Sequence, residues 1–268
     1  MKSIFISARR FTLFAAIALT AAAGCKKETS NPQNPPAGSN RLETVSLDGT
    51  FARFTYNADG SLQKAIVSDE LATGGDVTTF TLAYNNLRQI REVVASDGRR
   101  LVPIYNNNEL ARVDLLSPLN ELIGYTDYNF LNGRIKSLTL YLTNGGLSSP
   151  WLKQLYNYDA NGNIIKTNLF VNDFINDQLA PAGFIDFEYD GHINPQSPVR
   201  DFMLLIWQAV SANNVKKEVH VDQFGNTEET LVYTYTYNSR NLPARATVQR
   251  TIPGNPVETL EMLFSYWP

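Results

Sequence analysis

Residues that could support catalysis are few in this 268-residue chain. It has two histidines, His192 and His220, and one cysteine, Cys25, and it lacks the Gly-x-Ser-x-Gly motif of many serine hydrolases. His192 falls in a turn sequence, and His220 alternates with two valines, which predicts an exposed position on a strand. One cysteine and two histidines also leave too few soft ligands for a zinc site. We therefore predict no catalytic residues, no metal and no cofactor.

Carboxylates offer a second chemistry, because a glycosidase needs two acidic groups held roughly 5–10 Å apart. The spacing of such a pair depends on the fold, and the sequence offers only candidates: Asp173, Asp177, Asp186 and Glu188. A secreted hydrolase of polysaccharide or ester, with its site between a helix and the sheet, therefore stays as the alternative function.

Aromatic side chains are the strongest functional signal, with 13 Tyr, 14 Phe and 3 Trp in the chain. Exposed Tyr and Trp rings can stack on sugar rings, but in sheets they more often pack between strands and keep their polar tips hydrated. Packing is the favoured interpretation. The weak candidates for ligand contact are Tyr141, Trp151, Tyr233 and Tyr235.

A recurring sequence motif, the hairpin phrase, predicts the strands and turns that position these side chains. An aromatic strand ends in Tyr, followed by Asn or Asp, a turn and then Leu or Ile, most clearly over 54–64 and 156–166. Asn or Asp followed three residues later by Gly suits a type I turn with a glycine bulge, which closes a β-hairpin. The tyrosines that anchor the copies are Tyr56, Tyr84, Tyr105, Tyr128, Tyr158, Tyr189 and Tyr237.

Hairpin signals at this density predict a mainly β domain over 42–268, an antiparallel meander that forms a curved, twisted sheet or a partly open barrel. One insertion interrupts it. Ser197 as N-cap, Pro198 at the first helical position and Asp201 in the first turn predict an apolar helix over 199–211, of about three turns. We expect this helix to cover the concave face of the sheet. A buried strand over 202–207 is the alternative.

The N-terminal segment predicts export. Lys2, Arg9 and Arg10 precede an apolar run over 11–23, which is too short to span a bilayer as a helix and is typical of a signal peptide. The small residues before Cys25 resemble the lipobox of bacterial lipoproteins. That resemblance implies cleavage of residues 1–24 and acylation of Cys25, and two or three acyl chains hold a protein on a membrane stably. An ordinary signal peptide with a chance cysteine is the alternative.

Residues 25–41 are predicted to form a flexible tether, since they are rich in Pro, Asn and Ser and almost free of large apolar side chains. The hairpin phrases beyond it resemble the YD repeats of Rhs-type bacterial cell-surface proteins and the YD-repeat lipoproteins of Bacteroidetes. The resemblance covers most of residues 50–245 and implies an outer-membrane lipoprotein, facing the periplasm or the cell surface.

These features together predict a non-catalytic envelope lipoprotein with a binding or scaffolding surface on a β-sheet. Its expected partners are the lipid bilayer, through acylated Cys25, and a glycan, a peptide or an envelope protein. A net charge of −3 does not indicate the basic surface that nucleic-acid binding requires.

Substitution of Cys25 tests the anchor. Cys25→Ala removes the only thiol that could carry acyl chains, so the protein should move from the membrane fraction to the soluble fraction on fractionation of cells. Unchanged partitioning of the variant would contradict lipidation at this position.

Overall fold

The computed structural model describes residues 40–69 and 76–267. The predicted signal peptide, Cys25 and nearly all of the predicted tether lie outside these residues. The described chain forms sixteen strands, with these bounds: β1 (Leu42–Leu47), β2 (Thr50–Tyr56), β3 (Leu62–Asp69), β4 (Asp76–Tyr84), β5 (Ile90–Ala95), β6 (Arg100–Asn106), β7 (Glu109–Leu116), β8 (Leu122–Leu131), β9 (Arg134–Asn144), β10 (Leu147–Tyr158), β11 (Ile164–Asp173), β12 (Gln178–Ile193), β13 (Asn213–Asp222), β14 (Thr227–Tyr237), β15 (Pro243–Thr251) and β16 (Glu258–Tyr266).

The strands form one closed barrel in which each strand pairs antiparallel with its neighbours in sequence. The predicted mainly β antiparallel meander is therefore confirmed, and its closure into a complete barrel is more specific than the expected curved sheet or partly open barrel. The last strand returns to the first, with Leu42 opposite Tyr266 and Leu47 opposite Met262. The amide of Trp267 donates to the carbonyl of Arg41 at 3.0 Å beside this seam. Closure leaves no strand with a free hydrogen-bonding edge.

Side chains alternate between the lumen and the outer wall, as the period of a strand requires. On β9, Leu138 and Leu140 are buried inside, while Thr139 and Tyr141 point outward. The lumen is lined by a continuous apolar core drawn from strands all round the barrel.

The outer wall carries polar and charged side chains together with some exposed apolar ones, such as Val94 and Ile104. Arg112, Asp127, Thr139 and Lys153 lie opposite one another on four adjacent strands, in the middle of the wall. A barrel that spans a membrane has the reverse arrangement, with an apolar band facing outward. This polarity suits a wall in contact with water.

Among the described residues there is no helix with the length and apolarity needed to cross a bilayer.

The turns alternate between two ends of the barrel. The turns after even-numbered strands lie at one end, together with segment 194–212 and both ends of the described chain, Asn40 and Trp267. We call this the plug end. The turns after odd-numbered strands lie at the opposite end, which we call the rim end.

The plug-end turns show the geometry that the repeated phrase predicts. In the turn after β2, the amide of Asn57 donates to the carbonyl of Ser61 at 2.8 Å, and the amide of Gly60 donates to the carbonyl of Asn57 at 2.9 Å. Gly60 adopts a φ of 89°, a conformation that glycine reaches without steric cost. The strand register shifts by a bulge between Thr55 and Tyr56. The turn beginning at Asp159 repeats this pattern.

A ladder of tyrosine hydroxyls ties the strand pairs together at the plug end. Each of these tyrosines lies near the end of an even-numbered strand and donates to a backbone carbonyl at the start of the preceding strand. The bonds join Tyr56 to Leu42, Tyr84 to Leu62, Tyr105 to Ile90, Tyr158 to Ile135, Tyr189 to Ile164, Tyr235 to Val215 and Tyr266 to Pro243, at 2.6–3.0 Å. Burial raises the pKa of the Tyr158 hydroxyl, which keeps this donor protonated.

Two of the predicted anchors depart from the ladder, and two of its members, Tyr235 and Tyr266, were not predicted as anchors. Tyr128 donates to the carbonyl of Leu204 at 2.9 Å, because the inserted segment reaches β8. The hydroxyl of Tyr237 donates to the carboxylate of Asp190, so Tyr235 takes its place in the ladder. Tyr266 completes the ladder at the seam.

The inserted segment between β12 and β13 fills the lumen at the plug end. It contains a single turn of 3-10 helix, Ser197–Val199, followed by α1, Arg200–Leu205. The ring of Phe202 lies 5.5 Å from that of Phe80 on β4, which is half the barrel away from β12. Trp207 Nε1 donates to Thr126 Oγ1 on β8 at 2.7 Å. The segment therefore crosses the lumen, as expected of a helix that covers the concave face.

The predicted helix over 199–211 is too long, and the alternative of a buried strand over 202–207 is wrong. The α-helix ends at Leu205, and Trp207 adopts a φ of 68°, which a continuing helix cannot accommodate. Ser197 does not cap α1, since its hydroxyl donates to the carbonyl of Asn194 at 2.8 Å. Asp201 lies in the first turn as predicted.

A polar cluster lies inside the lumen among apolar neighbours. Tyr233 donates to Glu218 Oε1 at 2.9 Å, and His220 Nε2 lies 3.3 Å from Glu218 Oε2. The predicted exposed position of His220 is wrong, because its side chain pairs across strands with Ile185 on the lumen face. Next to this cluster, Arg250 forms an ion pair with Glu229. Burial raises the pKa of the Glu218 carboxyl.

Substitution of one ladder tyrosine tests its contribution to stability. Tyr158→Phe should lower the free energy of unfolding by about 1 kcal/mol, because the carbonyl of Ile135 loses its donor. Chemical denaturation of both proteins measures this difference. Tyr141→Phe is the control, since that hydroxyl lies on the outer wall, and it should change stability little. Equal stability of Tyr158→Phe and the parent would contradict a structural role for the ladder.

The lumen cluster predicts a pH dependence of stability. A raised pKa means that the folded chain holds the Glu218 proton more tightly than the unfolded chain does, so the stabilisation is present at low pH. It should be lost as the pH rises above the carboxyl's ordinary value of 4.5. Glu218→Gln stays neutral and can keep both hydrogen bonds. Melting temperatures of the two proteins should therefore diverge in favour of the variant between acidic and neutral pH, whereas parallel curves would contradict this account.

Candidate functional site

Two tyrosines stack on the outer wall where β8 meets β9. Tyr125 and Tyr141 lie directly opposite each other in the strand register, and their ring centroids are 4.6 Å apart with an interplanar angle of 15°. The strands approach closely beside this pair, since a Cβ atom on Gly124 would lie 2.7 Å from the carbonyl oxygen of Tyr141. Glycine at this position therefore permits the contact.

Charged groups from β7 and β8 surround the tyrosine pair. The guanidinium of Arg112 lies 3.6 Å from the centroid of the Tyr125 ring and pairs with Asp114 at 2.5 Å. Partial burial raises the pKa of Asp127, and the nearby Arg112 opposes this effect. The pKa of Tyr141 is also raised, first by burial and then by the charge of Asp127. The wall thus combines aromatic rings with hydrogen-bond acceptors.

A second aromatic pair lies nearer the rim end, on β10 and in the turn after β11. Trp151 is the extra residue of a bulge on β10, and Pro150 beside it lies opposite Tyr141. The indole of Trp151 is 40% exposed and meets the ring of Phe174 edge-on, with centroids 5.3 Å apart. Phe174 belongs to the turn after β11 and is 66% exposed.

This turn is held rigidly against β10. Asp177 accepts hydrogen bonds from Ser149 Oγ at 2.9 Å and from Asn172 Nδ2 at 3.0 Å. The same amide of Asn172 donates to the carbonyl of Pro150 at 2.7 Å. Phe174 is therefore presented on a fixed loop, and ligand binding would cost little ordering entropy.

We call the set Tyr125, Tyr141, Trp151 and Phe174 the aromatic surface. Its rings can stack on the apolar faces of sugar rings or on a hydrophobic side chain, while Asp114, Asp127 and Lys153 can hydrogen-bond to hydroxyl groups. These residues come from four strands and one turn of the same side of the barrel.

The aromatic surface contains two of the four predicted ligand candidates. Tyr233 and Tyr235 instead point into the lumen, where Tyr233 is only 4% exposed, so an external ligand does not reach them. Sequence reasoning missed Tyr125 and Phe174. The two-residue spacing that puts Tyr125 on the same strand face as Asp127 and Asn129 was an available signal for an outward ring.

The acidic residues considered for hydrolysis are engaged elsewhere. Asp173 accepts the amide of Ile175 at 3.0 Å within its turn, and Asp177 holds that turn to β10. Asp186 pairs with Lys166 on the outer wall, and Glu188 pairs with Lys217. The interface between α1 and the sheet, where a hydrolytic site was expected, is packed by the Phe202–Phe80 contact.

His192 lies at the plug end, away from the aromatic surface. Its ring stacks on Tyr237, with centroids 3.9 Å apart, and Asp190 bonds to the Tyr237 hydroxyl. The adjoining open cleft has a volume of about 520 Å³ and is lined largely by Asp and Asn side chains of the neighbouring turns. In this cleft, both carboxylate oxygens of Asp159 accept hydrogen bonds from Asn163, one from its backbone amide and one from Nδ2. The Asp159 carboxylate therefore stabilises the turn.

Comparison with known proteins identifies the fold. No family model and no curated protein matches the chain. A solved porin-like protein from Bacteroides uniformis matches with a TM-score of 0.57 at 12% identity, over 84% of this chain and 97% of that one. A porin-like protein from Bacteroides vulgatus matches with a TM-score of 0.46 at 12% identity, over 86% and 100%. The Bacteroides uniformis structure shows that this chain shares the fold of a porin-like barrel.

Proposed function

We propose that this protein is a lipid-anchored, non-catalytic barrel of the bacterial cell envelope, related to YD-repeat lipoproteins, and that its aromatic surface binds a glycan. The lipobox-like segment ending at Cys25 supports the anchor, and the hairpin phrases support the relationship. The porin-like fold is in keeping with an envelope location.

The barrel wall and lumen favour a binding role over a transport role. A sixteen-strand barrel that acts as a porin keeps a water-filled lumen and an apolar outer band. Here the outer wall carries charged rows such as that of Arg112 and Asp127, and segment 194–212 crosses the lumen. We therefore expect a ligand to contact the outer surface of the barrel.

The observation that carries the glycan proposal is the exposed Trp151–Phe174 pair. Phe174 lies on a turn that is hydrogen-bonded to β10, the strand that carries Trp151. Both rings project from rigid backbone, and acceptor groups lie along the same wall. Aromatic faces contact the C–H surfaces of sugars, while nearby carboxylates accept hydrogen bonds from the hydroxyl groups. The wall offers these groups in a row across several strands, which suits an extended chain of sugars.

Substitution of the exposed rings tests this proposal. Soluble glucan, xylan and peptidoglycan fragments should include one that binds the parent protein, as measured by calorimetry and by a shift in tryptophan fluorescence. Trp151→Ala and Phe174→Ala should each weaken that binding by roughly tenfold, in the range found for central aromatic contacts.

The matched control is Phe224→Ala, which removes an even more exposed ring from a turn elsewhere on the rim end. This variant should bind the glycan as the parent does. Undiminished binding by both Trp151→Ala and Phe174→Ala would contradict the proposal, as would the absence of binding to every glycan tested.

A further inference from the structure

The rim end carries large apolar side chains at its turn tips. Each turn from the one after β7 to the one after β15 presents at least one, and their exposed fractions range from 58% to 91%. They are Leu119, Leu147, Phe174, Ile175, Phe224 and Val257. Five consecutive rim-end turns therefore form an arc of apolar tips, which we call the apolar arc.

The charges around the apolar arc are mainly negative. Acidic side chains occur in or beside the described rim-end turns at Asp48, Asp97, Glu121, Asp173, Asp177 and Asp222. Two cations lie in or beside the same described turns, and both are paired: Arg99 with Asp97 and Arg100 with Glu92, each at 2.6 Å. Hydrogen bonds from turn residues lower the pKa of Asp173 and of Asp222, so both carboxylates are ionised at neutral pH.

The plug end has a different surface. Arginines Arg88, Arg200 and Arg240 there balance the acidic groups Asp59, Asp159 and Asp201. Its exposed apolar side chains are aliphatic, at Leu87, Leu131 and Ile193, and they alternate with turns built from Asn and Gly. The two ends of the barrel therefore differ in charge and in the aromatic content of their exposed apolar side chains.

We propose that the apolar arc is a docking surface for a partner protein that presents basic residues interspersed with apolar ones. Neighbouring strands lie about 4.8 Å apart, so successive tips on the arc are separated by roughly 10 Å. The acidic groups between the tips complement a basic partner, and the same charge repels an anionic bilayer. The arc shares Phe174 with the aromatic surface, but the charge argument and the other five apolar side chains do not depend on the glycan proposal.

The position of the described N-terminus agrees with such a partner. Asn40 lies at the plug end, at the opposite end of the barrel from the arc. A chain anchored through the segment before Asn40 can present the rim end away from its own membrane, where another protein can reach it.

A peptide-binding experiment tests the proposal on the full chain carrying Cys25→Ser, which cannot be acylated at that position. A short amphipathic leucine–lysine peptide should bind, and a leucine–glutamate peptide of the same length should not. Leu147→Ser/Phe224→Ser/Val257→Ser should raise the dissociation constant for the lysine peptide by roughly tenfold or more, as when apolar anchors are removed from an interface. The constant should also rise with salt concentration.

The matched control is Leu87→Ser/Leu131→Ser/Ile193→Ser at the plug end, where the three side chains are 60–68% exposed. It should bind the lysine peptide as the parent does. Equal loss in both triple variants, equal binding of the two peptides, or unchanged binding by the arc variant would overturn the proposal.

Two further readouts separate other occupants of the arc. Cosedimentation with phosphatidylcholine or phosphatidylglycerol vesicles that the arc variant abolishes would overturn the proposal in favour of a bilayer. Dimerisation in analytical ultracentrifugation that the arc variant abolishes would overturn it in favour of a second copy. Retention of glycan binding by the arc variant, and of peptide binding by Trp151→Ala, would show that the two surfaces act separately and would support the assignment.

Discussion

Filling of the lumen is the constraint on which the structure depends. Eight strands enclose a space that wall side chains can fill, but sixteen enclose a much wider one. This chain fills it with large apolar side chains from the wall and with segment 194–212, whose Phe202 reaches across to Phe80. Without that segment, the apolar side chains that line the lumen would lose their packing partners at the plug end. The helix is therefore part of the core, although it enters as an insertion between two strands.

The tyrosine ladder explains how a degenerate repeat can build a regular barrel. Each glycine or asparagine bulge shifts the strand register at the plug end, and a hydroxyl such as that of Tyr158 reaches the carbonyl at the start of the neighbouring strand. The repeat varies in length and sequence, but this hydrogen bond recurs in seven of the strand pairs. Where it is missing, at β8, Tyr128 binds the inserted segment instead. The repeat thus specifies both the hairpins and the attachment of segment 194–212 to the barrel.

Because segment 194–212 crosses the lumen, the proposed functional surfaces lie on the outside of the barrel. Among the described residues, the exposed large aromatic side chains are Trp151 on β10 and Phe174 and Phe224 in rim-end turns, and the half-buried pair Tyr125 and Tyr141 lies on β8 and β9. The plug end holds both ends of the described chain, so the rim end and the side wall are the surfaces farthest from a predicted anchor. A scaffold of this form can hold a glycan on its side and a protein at its end.

The sequence by itself determined the hairpins, the alternation of strand faces and the location of the helical insertion, because turn chemistry and two-residue periodicity are local properties. It also identified Tyr141 and Trp151 as candidates for an exposed surface. Periodicity shows that Tyr233 and Leu231 share a face, but it does not say whether that face is lumen or wall, and so Tyr233 and His220 were misplaced. Only the tertiary structure decided closure, since β1 and β16 are joined by contacts across nearly the whole described chain. The pairing of Trp151 with Phe174 likewise depends on a strand bulge and a pinned turn, neither of which local sequence specifies.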